Sequence, residues 1–307
     1  MNSPLVSIIT PSFNRANFIE SNIKSLINQT YKNFEHIVID GGSTDGTIEI
    51  LKKYENVYNL RWISEPDNGM YDAINKGIKM AKGEIISYLN TDDLYFPWTL
   101  ETIVKAFSKT SSDIIFGDCI INKRENFRIY LQPPNFNYKR LACYDGLSLP
   151  QPSVFIRKKV FDKIGLFDTN FKLFGDIEFW IRCAVNGIEF TKINEILSIV
   201  IIHNSNLHIN RDIGFQEKEK IRRVYCKEQK EKIYRKVIKY LDQIYQRYEL
   251  IKFVISKADW LNFKTFIGHI SYFKLILIEL LPNRYKYNVN LNSMDTHKIF
   301  NIIRGDS

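Results

Sequence analysis

The sequence predicts an α/β fold: a mostly parallel, Rossmann-like sheet flanked by helices, followed by a C-terminal helical extension. Three observations carry this expectation. Short runs rich in Ile, Val and aromatic residues alternate with helically spaced apolar positions through the first two-thirds of the 307 residues. Polar clusters recur where those runs end, and in parallel sheets ligands gather beyond the carboxyl ends of strands. The charge is also unevenly placed. Residues 1–214 hold 24 Lys/Arg and 24 Asp/Glu, whereas residues 215–307 hold 19 and 10, so the whole net charge of +9 lies in the last third. We therefore expect one domain over 1–214 and a basic, mainly helical region over 215–307.

Taken in order, strands are expected at Val6–Thr10, His36–Asp40, Leu60–Ser64, Glu84–Leu89 and Ile114–Cys119. Phe18, Ile19, Ile23, Leu26 and Ile27 give the first helix, with Asn14 as its cap; Asp45 caps the next, near Thr47. Residues 120–150 contain Pro133-Pro134 and few periodic apolar positions, and read as a long loop or lid. "QPSVFIRKKVFDKIGLFD" resumes as a strand and short helix, and "LFGDIEFWIRCAVNG" is an amphipathic helix ending at Gly187. From Phe215, helical spacing of Ile221, Val224, Ile233, Val237, Leu241, Ile244, Tyr248 and Ile251 runs through a Lys/Arg-rich sequence.

The four cysteines, Cys119, Cys143, Cys183 and Cys226, form no CxxC pair and suit a reducing compartment as small buried hydrophobes. The opening "MNSPLVSIITPSF" has neither the basic start nor the long apolar stretch of a signal peptide. A cytoplasmic protein is expected. "ISYFKLILIELL" is about half the roughly 20 residues that span a bilayer. It reads as a packed helix or as an interfacial one whose Lys/Arg neighbours meet anionic lipid at the inner face of the membrane. The tail has no recognisable nucleic-acid-binding module, so nucleic acid is not expected as a partner.

Four clusters fall at strand ends: Thr10-Pro11-Ser12, Asp40-Gly41-Gly42-Ser43, Glu65-Pro66-Asp67-Asn68-Gly69 and Asn90-Thr91-Asp92-Asp93. "VIDGGSTDGT" reads either as a capped turn or as a strand end whose Asp accepts hydrogen bonds from a base or ribose. A calcium loop is disfavoured by Gly42 and Thr44, and no Walker lysine or GxGxxG is present. "NTDD" is either the cap of a helix from about Pro97 or half of a site for a hard divalent cation. Asp176 and Glu178 either complement a helix dipole or supply a general base. His203 and His208 read as structural histidines or as metal or phosphate ligands.

In this order, "VSIITPSFNR", "HIVIDGGSTDGT", "SEPDNGMYDAINKGIKMAKGEIISYLNTDD", "QPSVFIRKKVFDKIGLFD" and "GDIEFWIR" resemble glycosyltransferase family 2, the inverting enzymes of GT-A fold, over residues 5 to about 210. The nearest flavour is the bacterial branch that builds O-antigen, capsule or exopolysaccharide. The resemblance implies a nucleotide-sugar donor, in the first place a UDP-sugar, with Mg²⁺ or Mn²⁺ and hexosyl transfer. It implies that Pro11, Phe13 and Arg15 line the nucleotide pocket and that Asp40 holds the base. Asp67, Asp72 and Lys76 would close over the nucleoside and diphosphate. Asp92 would touch ribose or metal and Asp93 the metal, with His203 near the diphosphate as a further candidate ligand. Gln151 would shape the acceptor or sugar pocket. Asp176 matches the catalytic base, with Glu178 as runner-up.

The family often has an acid where this chain has Gly41 or Asn90. The QxxRW signature of processive synthases is missing, which implies transfer of a single sugar to a glycan or lipid-linked acceptor. The rival readings are a sugar nucleotidyltransferase and a non-catalytic nucleotide-sugar-binding protein.

Overall fold

The computed structural model describes residues 3–123, 126–132, 136–144, 148–203 and 211–226. Strand β1 (Val6–Ser12) lies inside the sheet with all seven residues buried. Both of its faces are covered, so its polar side chains need internal partners. Ser7 Oγ donates to Glu35 at 2.6 Å, and Thr10 Oγ1 lies 2.9 Å from His36 Nε2. Burial pushes the His36 imidazole down to about 3, so the ring is neutral.

Strands β2 (Phe34–Asp40) and β4 (Ile85–Tyr88) flank β1, and β3 (Leu60–Ser64) pairs with β2, all in parallel register. The chain grows outward through β1, β2 and β3, then crosses back to place β4 on the other side of β1. Such a reversal opens a crevice at the carboxyl ends of β1 and β4.

Helices α1 (Ala16–Ile27), α2 (Thr47–Tyr54) and α3 (Met70–Met80) make the connections. Asp45 holds the first two together. Its Oδ2 accepts the Ala16 N–H at 3.0 Å and its Oδ1 the Thr47 N–H at 3.1 Å. Asn14 does not cap α1 as expected. With φ at 52°, it turns its Oδ1 to the Thr44 N–H at 3.0 Å and ties the two loops instead.

The second half adds β5 (Leu94–Tyr95), α4 (Thr99–Phe107), β6 (Ile114–Lys123), β7 (Asn126–Tyr130) and α5 (Tyr138–Tyr144). A 3₁₀ turn at Gln151–Ser153 leads to β8 (Val154–Arg157), α6 (Lys159–Ile164), α7 (Gly175–Val185), β9 (Phe190–Ile202) and α8 (Arg211–Tyr225). The strand order is β3-β2-β1-β4-β8-β6-β9-β5, with β7 paired to β6. Pairings of β8 with β4 and β6 are antiparallel, as are β6–β7 and β5–β9, while β6 and β9 run parallel.

The expected loop over 120–150 thus contains the end of β6, the hairpin strand β7 and helix α5. Leu141 and Ala142 of α5 are buried, and α5 packs against α7 and α8. Those partners are distant in sequence, which is why local periodicity missed the helix. The expected boundary at 214 falls inside α8, whose Ile221 is buried in the main core. "ISYFKLILIELL", His208 and the apolar positions beyond Val224 lie outside the described residues.

The cysteine expectation needs correction. Cys119 and Cys183 are free and buried, but Cys143 and Cys226 form a disulfide across a sequence separation of 83. Packing of α8 on α5 brings their Cα atoms to 5.7 Å, within the range a disulfide requires.

Helix α3 lies close on β1 because Gly77 has no side chain: a Cβ there would overlap Ile9 Cγ2. Ile9 is fully buried and has nowhere to move. We expect Gly77→Ala to destabilise the fold by about 1–3 kcal/mol despite alanine's better helix propensity. Urea unfolding checks this, and an unchanged midpoint would contradict the close approach.

Candidate active site

The crevice at the ends of β1 and β4 is a cleft of about 530 Å³, a size that suits a small-molecule ligand. After β1 come Pro11, Ser12, Phe13 and Arg15, and the turn into α3 adds Asp67 to Ala73. Tyr88 and Asn90–Asp93 follow β4, Gln151 enters from the 3₁₀ turn, and Phe171, Leu173 and Asp176 close the far wall.

Of the residues expected at a site, Pro11, Phe13, Arg15, Asp67, Asp72, Asp92, Asp93, Gln151 and Asp176 line this one cleft. Phe13 is 58 % exposed at its rim, presenting an aromatic ring to an incoming ligand. Asp40, Lys76, Glu178 and His203 do not line it. Asp40 is fully buried and occupied by its own turn: its oxygens accept from Gly42 N–H, Ser43 N–H and Oγ, and Ser64 Oγ. Lys76 pairs with Glu65 at 2.8 Å and approaches Asp72 at 3.9 Å. His203 stands behind the wall, its Nε2 2.9 Å from Asp92 Oδ2 and its ring stacked on Phe18 at 4.5 Å.

The place beside Gly41 is filled by another acid. A Cβ on Gly41 would meet the Asp67 carboxylate at 2.9 Å and the Phe13 ring at 3.3 Å. Asp67 therefore stands where a longer side chain at 41 would reach.

"NTDD" does not cap the helix. β5 intervenes, and α4 starts only at Thr99. The turn is instead held from α1, where Asn22 Nδ2 donates to the carbonyls of Asn90 and Asp93 at 2.9 and 3.0 Å. Asp93 is 4 % exposed, and its Oδ1 accepts the Ile201 N–H at 3.2 Å. Burial, then the adjacent Asp92 charge, push its carboxyl well above the usual range. Beside it, Asn90 Oδ1 is buried without a hydrogen-bond partner, while its Nδ2 donates to Gln151 Oε1 at 3.2 Å.

Five carboxylates line the cleft, Asp67, Asp72, Asp92, Asp93 and Asp176, against the cations Arg15 and Lys172. No cluster of three or more His, Cys, Asp or Glu side chains that could hold a metal occurs among the described residues. Two adjacent carboxylates and an unpartnered amide oxygen are nevertheless the hard oxygen donors that Mg²⁺ or Mn²⁺ takes when a ligand supplies the rest.

Asp176 occupies the first turn of α7. Its Oδ1 accepts the Ile177 N–H at 2.8 Å and lies 3.3 Å from Tyr71 Oη, which in turn accepts the Asp176 N–H at 3.1 Å. Burial pushes its carboxyl up to about 6, more than these hydrogen bonds lower it. The Tyr71 hydroxyl is itself raised by burial and keeps its proton. Glu178, two residues further and so on the opposite face of α7, faces away. It pairs with Arg182 at 3.0 Å and accepts the Tyr225 hydroxyl at 2.9 Å.

Sequence reasoning missed Tyr71, Tyr88 and the α8 contacts. Met70, Tyr71, Ile74 and Ile78 recur at the spacing of a core-facing helix, so nothing marks the tyrosine hydroxyl as part of a site.

A sheet of this order, with a ligand cleft at its reversal point and acids after β4, defines an open α/β protein that takes ligands at its strand ends. Comparison with known proteins sharpens this. Residues 7–165 match the family model for glycosyl transferase family 2. The chain belongs to that family. An uncharacterized glycosyltransferase of Rickettsia typhi is 33 % identical over 217 residues, 66 % of this chain and 65 % of that protein, so this chain spans just under two-thirds of that relative's length. A PGL/p-HBAD biosynthesis glycosyltransferase of Mycobacterium bovis is 31 % identical over 62 % of this chain and 74 % of its own.

Among solved structures, S. aureus TarS 1-349 in complex with UDP-GlcNAc superposes with a TM-score of 0.56 at 19 % identity, covering 73 % of this chain and 68 % of that one. The mannosyltransferase PcManGT from Pyrobaculum calidifontis, in complex with GDP-Man and Mn²⁺, gives 0.59 at 17 %, covering 99 % and 86 %. At these identities the likeness establishes the GT-A fold.

Glu178 is expected to matter for stability. Replacing it by Gln leaves Arg182 without its charge partner, and we expect Glu178→Gln to cost about 1–3 kcal/mol in thermal or urea unfolding. Unaltered stability would mean that the Glu178–Arg182 pair within α7 is not formed in solution.

Proposed function

We propose that this glycosyltransferase moves a single sugar, with inversion, from a nucleotide-sugar to a hydroxyl of a glycan or lipid-linked acceptor in surface polysaccharide synthesis. The observation that carries it is Asp176, a carboxyl raised to about 6 that faces the same cleft as Asp92 and Asp93. A base with a pKa near neutrality is both ionised at working pH and strong enough to take a proton.

In this reading Phe13 and Pro11 pack against the nucleoside, and Asp67, beside Gly41, accepts hydrogen bonds from the base or ribose. Arg15 faces the diphosphate. Asp93 and Asp92 would hold Mg²⁺ or Mn²⁺, with Asn90 Oδ1 beside them, and the ion offsets charge on the departing diphosphate when bound. Asp176 accepts the acceptor's hydroxyl proton as that oxygen bonds to the anomeric carbon and the bond to the nucleoside diphosphate breaks. Tyr71 keeps the carboxylate aimed into the cleft. The bound UDP-GlcNAc and GDP-Man of the structural neighbours support a nucleotide-sugar donor, with a UDP-sugar as the first choice. The positive charge of residues 215–307 favours work at an anionic lipid surface.

A panel of UDP-, GDP- and dTDP-sugars with Mg²⁺ or Mn²⁺, read by release of nucleoside diphosphate, tests the donor. Absence of release with every member, together with tight binding of one, would make the protein a nucleotide-sugar binder instead. Asp176→Asn should bind the donor unchanged and lose about 10²–10⁴-fold in turnover. Because a base must be ionised, wild-type turnover should rise tenfold per pH unit below about 6 and level off above it. An acid limb centred near 4 would remove Asp176 from the role.

A further inference from the structure

Helix α8 lies beyond the region that matches the family model, yet it grips the segment that delivers Asp176. Glu217 is 7 % exposed. Its Oε1 accepts the N–H of Lys172 at 2.6 Å, and its Oε2 those of Leu173 at 3.0 Å and Phe174 at 2.9 Å. These three residues enter α7 directly: Phe174 flanks its first turn, and Asp176 follows two residues later. Lys172 and Leu173 also line the cleft. Three successive backbone donors converging on one buried carboxylate make charge-assisted bonds, which are stronger than neutral ones. A carboxylate there also sits well at the positive end of α7.

From the opposite side, Tyr71 donates to the Leu173 carbonyl at 3.1 Å and accepts the Asp176 N–H. The Lys172–Asp176 segment is therefore held between α3 and α8. We infer that Glu217 is a positioning residue for the base: it fixes the entry to α7 so that Asp176 faces the cleft. This rests on Asp176 being the base.

The charged and titratable groups facing Asp176 are Tyr71 of α3, Tyr88 of β4 and Glu217 of α8. Lys172 is the nearby cation on its own segment. Burial is the largest influence on Asp176, and the negative charge of Glu217 adds to it in the same direction. Neutralising Glu217 should therefore lower the pKa of Asp176.

The test needs no substrate. Protein labelled with carbon-13 at the aspartate carboxyls is titrated by NMR, with Asp176→Asn identifying the signal. The wild-type signal should titrate near 6. In Glu217→Gln the midpoint should move down, and amide exchange at Lys172, Leu173 and Phe174 should quicken by at least about tenfold, since Gln offers one acceptor oxygen where three bonds were made. Tyr225→Phe removes a second side-chain link from α8 to α7 and should leave that midpoint in place.

An unmoved midpoint in Glu217→Gln overturns the inference, as does an equal shift in Tyr225→Phe, which would reduce α8 to general packing. If Glu217→Gln does not fold, Glu217→Asp keeps the charge and shortens its reach. It should hold the midpoint near 6 but lower kcat about tenfold, with KM within about twofold, on the best donor of the sugar-nucleotide panel. Wild-type kcat in that variant overturns the proposal. Should Asp176→Asn retain turnover, the base assignment fails separately, while the titration still reports on Glu217.

Discussion

One hydroxyl, that of Tyr71, joins the half of the molecule that follows from the parallel sheet to the half that does not. Tyr71 starts α3, whose place is fixed by Gly77 lying on Ile9 of β1. Its ring is 2 % exposed and lies so close to Gly175 that a Cβ there would meet the ring at 2.7 Å. Any side chain at 175 would push α7 away and take Asp176 out of the cleft. Phe167 completes the joint. It stacks on Tyr71 at 5.7 Å, meets Tyr88 edge-on at 5.6 Å and packs on Phe179 at 4.5 Å. Asn75 clasps its backbone in both directions, at 2.8 and 3.0 Å. Asp176 is thus carried on an aromatic cluster with few alternative packings, which is what the proposed base, a group requiring defined aim, needs.

That joint also sets the chemistry. Burial beneath the aromatic cluster raises Asp176, and three donors around it keep the rise moderate. A carboxyl with full exposure would be a weaker base than the role proposed for Asp176 calls for. Asp93, more enclosed and crowded by Asp92, is raised as well, and a divalent cation held there would reverse the penalty that burial imposes on its charge. Under the proposed function, a divalent cation would offset the repulsion between this acid-rich wall and a diphosphate.

The parallel half was legible in the sequence because its determinants are local. Val6–Ser12 and Phe34–Asp40 are apolar runs buried on both faces and Leu60–Ser64 is a partly buried edge run, and the polar residues that end them could be placed on one edge by the rule for such sheets. The same rule placed Pro11, Asp67, Asp92 and Asp93 on the edge that forms the cleft, whereas Phe13, Arg15, Asp72, Gln151 and Asp176 were expected there from the family resemblance. It overreached at Asp40, because a strand-end Asp followed by Gly-Gly-Ser satisfies its own turn, and a spacing pattern does not reveal which use prevails. Helix α5 and the Cys143–Cys226 disulfide were illegible for another reason. Both are made by α8 folding back over α5 and α7, and no local period encodes a partner 83 residues away.

Recognition and substrate choice divide along the same line. The family match ends at residue 165, just past α6, having taken in the strands and turns that form the β1–β4 side of the cleft. Asp176, the Phe171–Leu173 wall and the Glu217 grip all come later. The β1–β4 side is built from turns between adjacent elements, where short motifs dictate geometry. The far wall depends on the fit of α7 against α3, α5 and α8, which many sequences can achieve in different ways. Membership of the family is therefore written in the first half of the chain. The second half builds the far wall of the cleft by packing rather than by motif, and under the proposed function that wall would meet the acceptor.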